Sequence, residues 1–344
     1  MTKPSIETLE LSPVIQATRE PLQNGEVISP DVPLRIGIVG LGHMGGAFAR
    51  NLLVDRHHVI AFDRDPERAA SLRERGAEAA ASLAALSDCD FVVSSVPDDD
   101  ALRAVALGAG GLVEVMREGA IHVSMSTVSS ELSRSLATAH AARHQAYVAA
   151  PVLGNPDLAH DRKLFVLAAG DPEAVRRAKP LLASLGQRVF VIGDEAAAAN
   201  LMKLAGNVLT ATTLASMGEV LALLRKGGVD PQVAFDVLTN SLFDARVHKT
   251  YGGKILHERY APAGMRVPLA VKDLRLALAE AEREAVPMPS ASLVHDRLVA
   301  ITARGWADLD WSSLGLLAAR DAGLGSHFLD SQQPLMSATQ DDVP

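Results

Sequence analysis

A glycine-rich turn near the start of the chain is the sequence feature that most restricts the fold. The segment RIGIVGLGHMGGAFARNL places Gly40, Gly42 and Gly45 directly after an apolar run and at the start of an amphipathic one. The first glycine permits a tight turn, the second lets the backbone approach a pyrophosphate, and the third lets a helix pack closely on a strand. Free N–H groups at the helix start attract phosphates. The spacing therefore predicts a strand, a turn and a helix that bind a dinucleotide.

The second apolar run, VIAFDRD, ends in an acidic residue, Asp63. It lies about 20 residues after the glycines, where a carboxylate accepts hydrogen bonds from the adenosine ribose and repels a 2′-phosphate. Arg64 follows immediately and can pair with a 2′-phosphate or stack on adenine, although a solvated surface arginine is an equal interpretation. NAD is therefore the favoured cofactor, and NADP stays as the alternative.

Short apolar runs alternate with longer amphipathic segments from Leu34 to Gly193. This alternation predicts an α/β domain with a mainly parallel sheet and helices on both faces. From Asp194 to about Gly325 the pattern is almost entirely helical, with Gly and Pro at the breaks. The expected organisation is an extended N-terminal arm at 1–33, a dinucleotide-binding α/β domain at 34–194, an all-helical domain for substrate and oligomerisation at 195–325, and a flexible tail at 326–344.

Composition and charge exclude several classes of protein. The chain has 344 residues, of which 48% are hydrophobic, and a net charge of −8; this is enough for two cores and unlike a nucleic-acid-binding surface. No stretch reaches the roughly 18 uninterrupted apolar residues of a membrane span, and no signal or transit peptide is recognisable. Cys89 is the single cysteine, and the eleven histidines show no metal-ligand spacing. We expect a cytoplasmic protein with no nucleic-acid partner, no membrane partner and no bound metal.

One lysine interrupts a long uncharged stretch from Ala196 to Gly218. In NLMKLAGN, a helix would place Asn200, Lys203 and Asn207 on one face, because residues three and four apart are neighbours. One interpretation is an ordinary solvated face. Such faces usually carry several charges, whereas this one has a single cation among amides, so the second interpretation is a lysine with a chemical role.

Five motifs follow one another along the chain: the glycine-rich turn, STVSS at 126–130, APVLG at 150–154, KLAGN at 203–207 and KDLRLAL at 272–278. With these motifs the chain resembles the β-hydroxyacid dehydrogenase family from about Leu34 to about Leu324. The resemblance implies an α/β Rossmann domain joined by a long inter-domain helix to an all-α domain, with the substrate in the cleft between them. It also implies reversible hydride transfer between a nicotinamide and a small aldehyde or ketone, or its alcohol or hydroxy acid.

The resemblance assigns roles to particular residues. Lys203 corresponds to the family's catalytic lysine, and Asn207 would hydrogen-bond the reacting oxygen or hold the lysine. A buried ammonium suits that role, because it can stabilise negative charge that develops on oxygen and deliver a proton. The residues expected to contact the cofactor are Gly40, Gly42, His43, Met44, Gly45, Asp63, Arg64, Val96, Pro97, Thr127 and Lys272. The residues expected to contact the substrate are Ser126, Leu153, Gly154, Asn155, Met265 and Asp273.

The chain departs from the family in the segment that follows APV. Relatives have P-V-S-G and then a glycine-rich loop, whose hydroxyl and N–H groups receive a substrate carboxylate. This chain has Leu153 in place of the serine, followed by Gly154, Asn155 and Pro156. Leucine offers no donor and proline has no N–H, although Asn155 can restore one hydrogen bond. We therefore expect poor turnover of glyoxylate, succinic semialdehyde and 3-hydroxyisobutyrate; the alternative is that Leu153 packs inward and other amides bind the acid.

Two other functions are compatible with this architecture. An imine reductase shares it and acts on a C=N bond, but those enzymes usually lack the lysine that is present here. A cofactor-binding scaffold without activity is the third interpretation, because a fold alone does not establish chemistry. The helical segments hold more Leu, Val and Ala than one compact layer needs, so we also expect a homodimer or homotetramer.

Overall fold

The computed structural model describes residues 33–332. Apart from Pro33, the expected N-terminal arm lies outside the described residues, and so does the expected tail from residue 333 onward. The described chain forms a mainly parallel sheet with its helices, followed by a largely helical part. This confirms the expected fold class, an α/β domain followed by an all-α domain.

Within residues 33–332, nine strands form one sheet: β1 Arg35–Val39, β2 His58–Phe62, β3 Glu78–Ala79, β4 Phe91–Ser94, β5 Ile121–Ser124, β6 Ala146–Ala149, β7 Val152–Leu153, β8 Phe165–Gly170 and β9 Arg188–Gly193. The first six pair in the order β3-β2-β1-β4-β5-β6 and are parallel throughout, which is the doubly wound order of dinucleotide-binding domains. β8 runs antiparallel to β6 and β7, and β9 pairs parallel with β8. Every residue of β4 and β5 is buried, as in strands that helices cover on both faces.

Several helices begin with a capping Asp or Asn side chain followed by a proline. Side chains of Asp65, Asn155, Asp171 and Asp230 accept hydrogen bonds from the first turns of four helices that start with proline. The helices are α1 His43–Val54, α2 Pro66–Ala70, α3 Asp99–Leu107, α4 Leu112–Val115, α5 Ser130–Ala141, α6 Pro156–His160, α7 Pro172–Leu185, α8 Ala196–Lys226, α9 Pro231–Thr239, α10 Arg246–Leu256, α11 Val267–Arg283, α12 Pro289–Ala303, α13 Leu314–Asp321 and α14 His327–Gln332.

The 31-residue helix α8 joins the two parts of the chain. It packs against β6, β8, β9 and α5 on one side of the boundary, and against α10, α11, α12 and α13 on the other. By length and composition it is the one helix among the described residues that could cross a membrane, and 44% of its most apolar window is buried inside the fold. A core helix meets the same criterion, so this is weak evidence for a membrane span.

Helix α14 occupies the start of the segment that we expected to be a flexible tail. Glu258 holds the segment: one carboxylate oxygen accepts hydrogen bonds from Ser326 Oγ and from the N–H of Phe328, both at 2.8 Å. The ring of Phe328 also packs edge-on against Tyr260. These partners lie far away in sequence, which is why the polar composition of the segment did not reveal its fixed position.

A chain of buried polar groups lies between the sheet and α5. Ser94 Oγ is 2.8 Å from His122 Nε2, and His122 Nδ1 is 2.9 Å from His140 Nε2. His140 Nδ1 is 2.7 Å from Gln145 Oε1. Because Gln145 Nε2 donates to the carbonyl of Met116, its Oε1 must accept, and each imidazole then has one defined neutral tautomer. Burial lowers the pKa of His122 well below its usual 6.5 and that of His140 to about 4.

We expect the free energy of unfolding to decrease as the pH falls from about 6.5 toward 4. The two lowered pKa values mean that the unfolded chain binds protons more strongly, so stability is full above the unfolded pKa and is lost on acidification. The loss reaches about 1.4 kcal/mol per pH unit for each ring. Urea unfolding at several pH values measures it, with the His122→Val/His140→Leu double variant for comparison. If the free energy of unfolding falls equally with pH in the wild type and the double variant, the prediction is contradicted.

Candidate active site

The glycine-rich turn connects β1 to α1, and two of its glycines leave no room for a side chain. Gly40 has a φ of +88°, and a Cβ there would lie 2.3 Å from the carbonyl oxygen of Ser95. A Cβ on Gly45 would lie 1.9 Å from the carbonyl oxygen of Gly40. Helix α1 therefore packs directly on the backbone of the turn and of the residues that follow β4, which requires glycine at both positions.

Gly42 is the N-cap of α1 and leaves open space at the helix start. A Cβ on Gly42 would meet a single described atom, Arg68 Nη1, at 4.0 Å. No side chain among the described residues caps this helix, so the N–H groups of its first turn are available to an anion. His43 is exposed at the same end, and Met44 is half-buried against the sheet core. The residues present therefore fit the pyrophosphate of a dinucleotide.

The carboxylate of Asp63 is held against the glycine-rich turn. Its Oδ2 accepts a hydrogen bond from the N–H of Leu41 at 2.6 Å, and its Oδ1 accepts a second backbone N–H at 2.9 Å. Arg64 is exposed beside it. Arg68 reaches the turn from α2 and was missed in the sequence, because only its proximity to the turn distinguishes it from other surface arginines. One arginine thus follows the carboxylate that was expected to select NAD, and a second has its guanidinium near Gly42 of the turn.

The carboxyl ends of β4 and β5 lie side by side and are joined by hydrogen bonds. The N–H of Val96 donates to Ser126 Oγ at 2.9 Å. Lys272, which comes from α11, donates to the carbonyl oxygens of Pro97 at 2.9 Å and Thr127 at 2.5 Å. The structure therefore brings these five predicted residues together, and a lysine of the helical part contacts both turns.

Lys203 lies on the buried face of α8, so the interpretation as a solvated lysine is wrong. The residue is 8% exposed, and its Nζ donates to Asn207 Oδ1 at 2.9 Å. Burial lowers the pKa of Lys203 to about 8; the charge of Asp273 raises it and that of Lys272 lowers it further. Both the ammonium and the free amine are therefore populated near neutral pH.

Asn207 connects Lys203 to a buried carboxylate on α11. Its Nδ2 donates to Asp273 Oδ2 at 2.5 Å, across 66 positions of sequence. Asp273 is buried, and its Oδ1 lies 3.1 Å from Lys272 Nζ. We expected Asp273 to contact the substrate, and in the structure its carboxylate lies against two protein side chains, those of Asn207 and Lys272. It orients the Asn207 amide so that the amide oxygen points toward the lysine.

Leu153, the last residue of β7, lies against the same face of α8. A Cβ on Gly206 would be 2.9 Å from Leu153 Cδ2. Gly206 lies three residues after Lys203 and is therefore its neighbour on the helix surface, whereas Asn207 lies about a quarter turn away from Gly206. Leu153 was expected in the substrate site, with inward packing as the alternative; it is half-buried and packs both on the apolar cluster of the sheet domain and against α8 at Gly206.

Three other residues that were expected to contact the substrate also have roles in the fold. Asn155 Oδ1 accepts a hydrogen bond from the N–H of Leu158 at 3.0 Å and thereby caps α6. Gly154 has a φ of +144°, and a Cβ there would lie 2.4 Å from Leu164 Cδ2. Met265 is half-buried and packs on the core of the helical part. Asn155 therefore keeps its amide nitrogen, and not its oxygen, for a ligand.

We next consider metal-ligating side chains and the cysteine thiol among the described residues. No group of three or more His, Cys, Asp or Glu within residues 33–332 could hold a metal ion. Burial raises the pKa of the Cys89 thiol to about 11, so the reactive thiolate is scarce at neutral pH.

Two family models match the chain in succession. Residues 35–193 match the NAD-binding domain of 6-phosphogluconate dehydrogenase, and residues 197–317 match the NAD-binding region of NADP-dependent 3-hydroxyisobutyrate dehydrogenase. An uncharacterized oxidoreductase of Bacillus subtilis, YfjR, is 38% identical over 283 residues, which cover 82% of this chain and 98% of the relative. The chain belongs to the β-hydroxyacid dehydrogenase family.

Two further comparisons support this assignment. The 3-hydroxyisobutyrate dehydrogenase of Pseudomonas aeruginosa is 32% identical to this β-hydroxyacid dehydrogenase over 292 residues, covering 81% of this chain and 96% of the relative. The crystal structure of 3-hydroxyisobutyrate dehydrogenase from Salmonella typhimurium matches it with a TM-score of 0.74 at 28% identity, over 83% of this chain and 99% of that one. The protein is therefore an NAD(P)-dependent dehydrogenase, as its five motifs indicated.

Proposed function

We propose that the protein reduces a small aldehyde or ketone with a nicotinamide cofactor, and oxidises the matching alcohol, with Lys203 as general acid and base. The observation that carries the proposal is the buried Lys203 ammonium, whose pKa of about 8 is close to neutral and whose Nζ is fixed by Asn207. A group with a pKa near the working pH is the most effective proton donor and acceptor. The motif lysine of the family supports the same role.

The nicotinamide, when bound, exchanges a hydride with the substrate carbon. Lys203 in its ammonium form stabilises the negative charge that develops on the carbonyl oxygen and donates a proton to it. In the oxidative direction the neutral amine takes that proton back. Asn207 holds Nζ at 2.9 Å, and Asp273 fixes the amide in the orientation that this hydrogen bond needs.

We expect Lys203→Met to lower kcat by at least about 100-fold, because the proton donor is lost, while NADH affinity changes little. Turnover is measured with a panel of semialdehydes, ketones and cyclic imines, each with NADH and NADPH. Lys226→Met is the matched control, because Lys226 is the exposed last residue of the same helix and donates to a backbone carbonyl. Turnover of Lys203→Met within a few-fold of the wild type would exclude Lys203 as the acid.

The pH profile gives a second readout of the same proposal. Reduction needs the ammonium, so its rate should fall as the pH rises through about 8. Because the Asp273 charge raises the pKa of Lys203, Asp273→Asn should move that fall to lower pH. A profile that is unchanged in Asp273→Asn would mean that another group titrates.

For the cofactor we propose a preference for NAD over NADP. The carboxylate of Asp63 is held at the glycine-rich turn by two backbone N–H groups, where it opposes a 2′-phosphate. Arg64 and Arg68 act in the other direction, because a guanidinium pairs well with a phosphate. The proposal is that the fixed carboxylate outweighs the arginines, one of which is exposed and the other paired with Asp65.

We expect NADH to bind more tightly than NADPH, and Asp63→Asn to narrow the difference by removing charge repulsion. Fluorescence titration with both cofactors measures the two Kd values. Asp88→Asn is the control, because Asp88 is exposed and lies before the amino end of β4, at the opposite end of the strand from the glycine-rich turn. A clear preference of the wild type for NADPH would show that the arginines decide the selectivity.

We further propose that the chain assembles through its helical part into a homodimer or homotetramer. Leu209 is 69% exposed and Leu223, about four turns later on the same side of α8, is 70% exposed. Val233 and Val237 on α9 and Leu242 after it are also exposed. Apolar side chains grouped on neighbouring elements are typical of a surface that a partner covers.

We expect light scattering at micromolar concentration to give the mass of a dimer or tetramer. The Leu209→Glu/Leu223→Glu variant should shift the mass toward the monomer, because it places charges in the covered surface. Val54→Glu is the control, since Val54 is 76% exposed on α1 of the sheet domain. A monomeric wild type would refute the proposed assembly.

A further inference from the structure

We infer that the substrate carries no charge beside its reacting carbon and presents an apolar group to Leu153. The inference rests on the proposed role of Lys203, because it concerns the groups that surround that ammonium. It names a substrate class, neutral aldehydes and ketones, in place of small carbonyl acids. Three features of the structure support it: the wall beside the lysine, the turn that follows it, and the state of the nearby cations.

The wall beside the lysine is apolar. Leu153 Cδ2 lies 2.9 Å from the position that a Cβ on Gly206 would take, and Gly206 sits between Lys203 and Asn207 on α8. The isobutyl group is therefore packed on the helix within one turn of Lys203. A substrate carboxylate against this wall would lose its water without gaining a partner, whereas an alkyl or ester group would gain contact.

The turn after Leu153 supplies no charged side chain. Asn155 uses its oxygen to cap α6, so its uncharged amide nitrogen is the side-chain donor that remains. Pro156 follows at the first position of α6 and has no N–H. The turn itself therefore offers an anion only neutral donors.

Lys272 of α11 already has hydrogen-bond partners, and the adjacent carboxylate of Asp273 repels an anion. Lys272 Nζ donates to the carbonyl oxygens of Pro97 and Thr127 and lies 3.1 Å from Asp273 Oδ1. Asp273 contributes a buried negative charge that is linked to Lys203 through Asn207. A second negative charge close to the ammonium would therefore be repelled by a carboxylate that has little water to screen it.

Arg246 is a cation whose replacement can test whether a substrate carboxylate binds near Leu153. It begins α10, and its guanidinium lies 6.0 Å from the ring centroid of Phe165. Phe165 is the residue paired with Leu153 between β7 and β8. If a substrate carboxylate were held near the Leu153 wall, Arg246 is the side chain that would have to receive it.

The experiment compares acids with their own methyl esters, so that only the charge changes. We expect the wild type to show a kcat/KM at least about tenfold higher for methyl glyoxylate and the methyl ester of succinic semialdehyde than for the two acids, as for one lost charged hydrogen bond. Leu153→Ser, which restores a donor, should reduce this ester-to-acid ratio at least about tenfold. Leu153→Ala is the matched control for volume, and it should keep the ratio within about threefold of the wild type.

Three results would overturn the inference: a wild type that prefers the acids, a Leu153→Ser variant with an unchanged ratio, or a selective loss of acid turnover in Arg246→Gln. Binding of 4-hydroxybutyrate and its methyl ester to the enzyme with reduced cofactor, measured by calorimetry, tests the same preference without turnover, because neither alcohol can transfer a hydride to a cofactor that is already reduced. Lys203→Met separates the two proposals. If the Lys203→Met variant still reduces the methyl esters, the proposed role of Lys203 is wrong. The ratio of the Kd values for 4-hydroxybutyrate and its methyl ester still tests the substrate class in that case.

Discussion

The site depends on keeping an ammonium group away from water. Burial disfavours the charged form of Lys203, and the Asn207 oxygen and the Asp273 carboxylate offset part of that cost. Because Asp273 belongs to α11 and the lysine to α8, the surroundings of the ammonium are complete only when these helices pack together. The contacts that fix the helical part therefore also set the acidity of the lysine.

Neighbouring residues of α11 act on the lysine in opposite directions. Asp273 raises the pKa of Lys203, and Lys272 lowers it. Lys272 is itself held by the carbonyl oxygens of Pro97 and Thr127, at the ends of the strands beside the glycine-rich turn. Lys272 and Asp273 thus connect Lys203, the proposed proton donor, to the turns that we expect beside the nicotinamide. Separating α11 from these turns would admit water to the lysine and move its pKa back toward the ordinary value.

The sequence predicted those features that depend on local pattern. The apolar runs of the sequence form β1, β2, β4, β5, β8 and β9. Helical periodicity correctly placed Lys203 and Asn207 on one face of α8. Strands β3 and β7 have only two residues each, too few for a pattern. Strand β6, AYVA, is as long as β4 and β5, but two of its four residues are alanine, which is not typical of strands. The contact of Asn207 with Asp273 spans 66 positions and is tertiary, so no local signal reports it. The cap at Asn155 was readable, because an asparagine before Pro156 is a typical helix start.

Helix α8 buries Asn200, Lys203 and Asn207 together with an apolar face, whereas Leu209 and Leu223 are exposed. Rotating the helix to bury the leucines would break the hydrogen bonds that the two amides make with α5 and α11. A buried polar group left without its partner costs about 1–3 kcal/mol, comparable to the gain from burying a leucine. Polar and apolar contacts therefore fix the rotation together, and in the assembly proposed above the exposed leucines are left for a second chain. The rotation that buries Lys203 beside Asn207 is the same one that forms the surface for the partner.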